Sequence, residues 1–342
     1  NSFEKFSINR FTDNIAEGIS CERCHGPGQL HVEKHKSPNT VISENDIDRS
    51  IVNPAHLSAD LQMDVCRQCH LQGEISVFKP GKSSADFRPG MQLSSIKTVF
   101  IEHQLPKGDF RIASHGGRLS LSACFVESKG QMTCTTCHNP HEPVQDRSRA
   151  YFNNQCIACH QPQKLTKLES HNAQGDCIQC HMKQGATEDI LHVNFTDHWI
   201  RKNIEVLTDK ENKILRKREK TVKLVDFFNE EDDASDIRKG IAYVNFYENR
   251  HSEPSYLDLA ILLLNKGLED IPNHIEGNYN LGRAYQIQGK NNNAIDLYKK
   301  VSQLDPSHMW SLYQLGRLYM EKDAQQSLSY YLKAINLNVE NA

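Results

Sequence analysis

The pattern Cys-x-x-Cys-His occurs five times between residues 21 and 181, and no other feature of the chain constrains its folding as strongly. The copies are Cys21, Cys24 and His25; Cys66, Cys69 and His70; Cys134, Cys137 and His138; Cys156, Cys159 and His160; and Cys177, Cys180 and His181. Ten of the eleven cysteines are used in this way. The pattern is the attachment signature of c-type haem. Two thiols three residues apart form thioethers to the two vinyl groups of a macrocycle, and the imidazole that follows lies under the iron. Zinc also takes Cys-x-x-Cys pairs, but it combines two of them and has no need of a histidine directly after each. A disulfide or thioredoxin-like pair has no such need either. Five c-type haems are therefore expected, with His25, His70, His138, His160 and His181 as proximal iron ligands.

Fourteen of the seventeen histidines fall before residue 200, and no cysteine follows it. This chemical split divides the 342 residues into a pentahaem cytochrome domain over 1–200, a charged linker over 201–235 and a helical domain over 236–342. The first part is punctuated by HGPG, KPG, RPG and NPHEP and has weak hydrophobic periodicity, so it reads as loop-rich. Stacked macrocycles are expected to supply the apolar mass that its side chains lack. The linker, with RKNIEVLTDKENKILRKREK and then NEEDDASD, reads as a solvated connector.

A net charge of -3 gives no concentrated basic surface for a phosphate backbone, which argues against nucleic acid as a partner. No run of eighteen apolar residues exists, so no transmembrane segment is expected. The opening NSFEKFSINR lacks the apolar core of a signal peptide, and the start of the chain reads as processed or incomplete. Covalent haem attachment takes place outside the cytoplasm, so export is expected.

Each iron has a second axial position, and its occupant decides between electron transfer and catalysis. Nine further histidines precede residue 200, which is enough for five bis-histidine, low-spin haems. His31 follows the first motif across a Gly-Pro-Gly turn. His141, in CHNPH, is too close to its own motif to reach round the same iron and is expected to ligate a neighbour. His115 lies in ASHGG, whose glycines would allow close approach to a macrocycle. His192 and His198 bracket HVNFTDH after the last motif. These five lead; His171 comes next, and His35, His56 and His103 read as surface or hydrogen-bonding residues. Met63, Met132 and Met182 crowd the motifs and Met91 has no recognisable setting, so a His/Met haem is not expected. The leftover Cys124, in SACFVES, reads as a small buried apolar side chain, with an intermolecular disulfide as the lesser alternative.

From about residue 236 a helical pattern repeats. Leu281, Gly282, Tyr285 and Ala294 recur thirty-four residues later as Leu315, Gly316, Tyr319 and Leu328. With a one-residue deletion before the second helix, Ser327, Tyr331 and Ala334 align instead with Ala294, Tyr298 and Val301. Pro272 and Pro306 share the same spacing, and Ala260 marks a degenerate third copy at about 241–274. Period and residue types resemble the tetratricopeptide repeat, in which small residues let paired helices approach and aromatics fill the grooves between pairs. Such arrays end in a polar helix. None follows the last repeat, so either the sequence continues or another subunit is expected to cover that face.

The runs EGISCERCHGPGQLHVEKH, DVCRQCHLQG, FRPGM, ASHGGRLS, MTCTTCHNPHEP and HVNFTDHWIR resemble bacterial multihaem cytochromes of the cytochrome c nitrite reductase and hydroxylamine oxidoreductase assemblage. In particular they resemble exported members joined to tetratricopeptide repeats. The resemblance implies a mainly α fold, a loop-rich multihaem domain followed by a short α-solenoid. It implies haem binding by the five motifs and distal ligation by His31, His115, His141, His192 and His198. It also implies redox partner proteins and a location in the periplasm or at the cell surface. Catalytic members carry a special haem, with lysine as proximal ligand or a tyrosine crosslink. All five motifs here end in histidine, so the resemblance implies an electron carrier. Relatives commonly have further motifs upstream and none is present here, so the resemblance implies that one ligand or neighbouring haem is either missing or supplied by another chain. Two other readings stay open: an oxidoreductase acting on a small nitrogen or sulfur compound at a five-coordinate haem, and head-to-tail assembly into an extracellular haem filament.

Overall fold

In the computed structural model the described residues are 18–37, 47–103, 113–161, 176–187, 190, 192–204 and 222–339. His171 and most of the charged run before residue 222 lie outside them. The fold is mainly helical, with two small antiparallel sheets among the described residues.

The haem-motif region is built from short pieces. Its helices are α1 (Glu22–His25), α2 (Gln29–Lys36), α3 (Ala59–His70), α4 (His115–Leu119), α5 (Ala123–Glu127), α6 (Arg149–Cys159) and α7 (Cys177–His181). Each motif sits on or at the end of a helical turn, the third on the 3-10 turn Cys134–Thr136. Helical spacing puts residues i, i+3 and i+4 on one face, so both thiols and the imidazole of a motif project together. The turns are set by local chemistry. The Asp176 carboxylate accepts from the Ile178 N–H at 3.1 Å at the start of α7, and Gly26, at φ 77°, ends α1. The motif-bearing helices α1, α6 and α7 bury none of their own residues.

The larger sheet orders β1 (Ile75–Phe78), β2 (Lys97–Glu102) and β5 (Leu224–Asp226); β3 (Gln184–Ala186) pairs with β4 (Asn194–Thr196) in the other. Successive residues of a strand face opposite sides. Val99 of β2 therefore joins a core with Leu71, Phe87, Leu93 and Ile96 on the haem-motif side. Its neighbour Phe100 joins Ile75, Val77, Leu224 and the first repeat helices on the other side. At Gly73, φ 61°, the chain leaving α3 presses against this strand so closely that a Cβ would meet Val99 Cγ1 at 2.5 Å.

Residues 201–235 were expected to be a solvated connector, yet their last third is folded. The run VKLVDFF lies between the two charged blocks, and its alternating apolar residues make it a strand. Leu224 is fully buried, and its N–H donates to the Tyr243 hydroxyl at 2.9 Å. Charge density on either side masked a short apolar pattern.

Three helix pairs follow: α8 (Ser235–Asn249) with α9 (Pro254–Asp270), α10 (Ile275–Ile287) with α11 (Asn291–Leu304), and α12 (Met309–Tyr319) with α13 (Ala324–Val339). The alignment with a deletion is the one the structure follows. Ser327 is buried like Ala294, whereas Leu328 is 58% exposed. A Cβ on Gly282 would meet the Tyr298 ring at 2.8 Å, and one on Gly316 would meet the Tyr331 ring at the same distance. The repeat also includes its caps. His274 Nδ1 accepts from the Gly277 N–H and His308 Nδ1 from the Ser311 N–H, each at 3.1 Å, at the starts of α10 and α12.

Candidate functional site

The thiols of successive motifs are neighbours in space. The Cys24 thiol is pushed up by burial and by Cys66 and Cys69, and Gln68 Nε2 donates to the Arg23 carbonyl at 3.1 Å. Cys66 is raised by its hydrogen bond to Cys134, which is lowered in turn. Cys137 is raised by burial, then by Cys124 and Cys159. Cys156 is pushed up to about 11 by burial and by Cys177. Consecutive motifs are thus neighbours, and the first also meets the segment after the third through His25 and His141.

Two motif histidines are held by the same two-bond clamp. His25 Nδ1 donates to the Val52 carbonyl at 2.8 Å, and the Val52 N–H donates back to the His25 carbonyl at 3.0 Å. His181 Nδ1 donates to the Arg201 carbonyl at 2.8 Å, and the Arg201 N–H donates back to the His181 carbonyl at 3.0 Å. A carbonyl partner fixes the proton on Nδ1 and leaves the Nε2 lone pair for a metal.

Four imidazoles from distant parts of the sequence converge. His115 lies 5.2 Å from His70 and 4.4 Å from His198 between ring centres, and His138 lies 6.1 Å from His198. Burial, then the neighbouring His198, His70 and His138, lower the pKa of His115 to about 3. Burial, then His138, lowers His198 to about 4, and burial lowers His138. The rings of His115, His138 and His198 are therefore neutral near pH 7, the form that ligates metals. The buried Nδ1 of His115 has no hydrogen-bond partner among the described residues.

An ion pair holds this cluster together. Arg118, one helical turn after His115, donates from Nε to Asp197 Oδ1 at 2.8 Å and from its terminal nitrogen to Oδ2 at 2.5 Å. Asp197 immediately precedes His198, so the bidentate pair fixes α4 against the end of β4. Ser122 Oγ donates to the His198 carbonyl at 3.2 Å and accepts from the Ile200 N–H at 2.8 Å. The Arg118 and Arg201 guanidinium groups both lie over the Trp199 ring, 5.1 and 4.5 Å from its centre. Sequence reasoning missed Arg118 and Asp197. Their only signal was a charged residue beside each distal-ligand candidate.

The donor set fits haem iron. Metal–imidazole nitrogen distances of about 2 Å place two rings on opposite sides of one metal with centres roughly 6 Å apart. The rings of His25 and His141 lie 6.0 Å apart at 9°, and those of His138 and His198 lie 6.1 Å apart at 29°. His141 thus faces the histidine of the first motif, not its own.

Other expected residues sit differently. The glycines of ASHGG bring α4 onto α3: a Cβ at Gly116 would meet Arg67 Cγ at 2.9 Å. His31 turns to His35 and Asp48. His160 and His192 are exposed, and His192 adopts φ 65°. Cys124 is half-buried, with its thiol raised by that burial. Met63 is buried and accepts a 3.6 Å contact from the Cys134 thiol.

No helix among the described residues is long and apolar enough to cross a membrane. The TPR repeat family matches residues 282–323. Two solved structures of MamA are similar to the chain: one is 20% identical with a TM-score of 0.28, covering 32% of this chain and 61% of that one. The other is 22% identical with a TM-score of 0.25, covering 33% and 80%. A multiheme cytochrome, MtrA of Shewanella baltica (strain OS185), is 25% identical over 171 residues, 45% of this chain. The match spans 46% of that relative's length, so the chain covers under half of it.

Proposed function

We propose that the chain is an exported electron carrier of the periplasm or cell surface, with five c-type haems joined to the ten motif cysteines. The carrying observation is the string of thiol neighbours: consecutive motifs stand side by side, so electrons have a continuous route in chain order. Haem, when bound, supplies reversible one-electron chemistry at its iron. The protein's part is to hold the ligands. His25, His70, His138, His160 and His181 are the proximal set. Ring geometry supports His141 opposite His25 and His198 opposite His138, while His115, 5.2 Å from His70 between ring centres, is the neighbouring distal candidate for it. His192, and His171 outside the described residues, are the distal candidates that remain for His160 and His181. The carbonyl clamps on His25 and His181 fix their tautomers, and the Arg118–Asp197 pair sets the spacing of the central imidazoles.

The haem region spans 1–200 together with the strand around Leu224, and the repeats follow from Ser235. The repeats give the carrier a place to meet a redox partner or another copy. Met309, Trp310, Tyr313, Tyr331, Ala334 and Ile335 line an apolar groove on the last pair, beside the exposed Leu328 and Leu332.

Haem content by pyridine haemochrome, with the mass of the holoprotein, tests the count: five haems per chain are expected. Electron paramagnetic resonance of the oxidised protein should give low-spin signals alone, and the reduced protein should not bind carbon monoxide. Fewer haems, or a high-spin iron that takes carbon monoxide, would count against this reading.

A further inference from the structure

The histidines that cap α10 and α12 make the same bond in different surroundings. An imidazole whose Nδ1 accepts from a backbone N–H keeps its lone pair there and carries its proton on Nε2. At the start of α12, Nε2 of His308 lies 3.6 Å from Glu276 Oε1. At the start of α10, Nε2 of His274 is buried without a hydrogen-bond partner among the described residues.

The His274 turn packs on the first helix pair: a Cβ at Gly277 would meet Ile237 Cγ2 at 3.0 Å and Leu268 Cδ2 at 3.1 Å. Next to Ile237 is Arg238, whose side chain is 4% exposed and whose guanidinium lies 2.8 Å from Asp232 Oδ1. The other oxygen of Asp232 lies 3.4 Å from Nζ of Lys79, the residue that follows β1. Lys79, Asp232 and Arg238 thus tie the motif-bearing region to α8, and α8 carries the turn that His274 caps.

We propose that His274 is an acid-sensitive latch between the first two helix pairs: neutral, it caps α10 and holds that helix against α8; protonated, it releases the first turn of α10.

Three consequences of protonation act in one direction. Nδ1 becomes a donor, so the Gly277 N–H loses its acceptor. The new cation sits at a helix N-terminus, where the backbone dipole is already positive. It also faces the buried guanidinium of Arg238. Glu276 is the opposing charge, and it is exposed, so solvent screens it. The other charged groups around the turn are engaged or exposed. Asp236 pairs with Lys266 at 2.7 Å, Lys300 Nζ donates to the Pro272 carbonyl at 2.6 Å, and Glu269 and Asp270 at the end of α9 are exposed. Burial, helped by Arg238 and opposed by Glu276, holds the His274 pKa below its ordinary value. As the pH falls below about 6.5 the unfolded turn takes up the proton first, so the contribution of the cap is complete above that value and is lost below it.

The test uses the full haem-loaded chain and hydrogen–deuterium exchange, with each rate corrected for the intrinsic effect of pH. From pH 7.5 to pH 5, opening at the start of α10 is expected to rise about tenfold in the wild type. The start of α12 should rise less, because Glu276 faces His308. His274→Asn and His274→Ser keep a capping oxygen that does not titrate, so either should abolish the rise at α10. An acid response at α10 that is the same in wild type and in these variants would overturn the proposal. So would a wild type whose α10 amides show no rise, a result that needs no variant to fold. The latch rests on the geometry of the repeats alone, so its failure leaves the electron-carrier reading standing.

Discussion

Gly316 lies flat against the ring of Tyr331, and a Cβ on the glycine would meet ring carbons Cδ1 and Cε1 at 2.8 Å. Gly282 and Tyr298 repeat the contact one helix pair earlier. Overpacking of this kind costs about 1–3 kcal/mol, whereas alanine for glycine inside a helix returns about 1 kcal/mol. Gly316→Ala is therefore expected to destabilise the repeats by up to about 2 kcal/mol, and Gly316→Val by more. Urea unfolding followed by far-ultraviolet circular dichroism checks the order of the two variants.

The parallel rings of His25 and His141 predict a ligand exchange confined to one haem. His141→Ala should keep the full complement of covalently bound haem and convert one iron to a high-spin form that binds carbon monoxide. His56→Ala, at an exposed histidine, should leave every haem low-spin.

Asp197 is fully buried against Arg118, which is 4% exposed. Removing one partner of such a pair leaves an uncompensated charge at a cost of about 3–5 kcal/mol. Asp197→Asn is expected to lower the stability of the haem region by that amount and to loosen the contact between His115 and His198. Thermal melts and the sharpness of the low-spin resonance signals measure the two effects separately.

Burial and neighbouring imidazoles lower His115 to about 3 and His198 to about 4, and iron held by either ring would keep it unprotonated in the same direction, so stability depends on pH. The unfolded chain protonates both rings near pH 6.5 while the folded one does not, so the unfolded state binds more protons between these limits. Stability from these residues is fully present above pH 6.5 and falls as the pH drops toward 4 and then 3. Denaturation at pH 7, 5.5 and 4 should show a progressive loss, which His198→Gln reduces.

Much of this was legible in the sequence because covalent chemistry and helix packing are local rules. Cys-x-x-Cys-His fixes three donors on one helical face, and a Gly282 to Gly316 spacing declares a repeat. The one-residue shift between Ala294 and Ser327 was visible as an option, and only burial chose it over Leu328. What the sequence hid were long-range pairings. Nothing near Arg118 names Asp197 seventy-nine residues away, and nothing in TVKLVDFF names its partner strand 97–102. The bond from His31 to Asp48 was hidden for the same reason: a carboxylate among many acidic residues carries no mark of which imidazole it will meet.

The adjacent residues Val99 and Phe100 anchor two different cores from one strand. A load on the repeats reaches the Cys-x-x-Cys-His motifs through a hydrogen-bonded sheet. Any assembly built through the repeats inherits that stiffness. Its pitch would be dictated by a single strand, and the step from one string of redox centres to the next would have one length instead of a distribution.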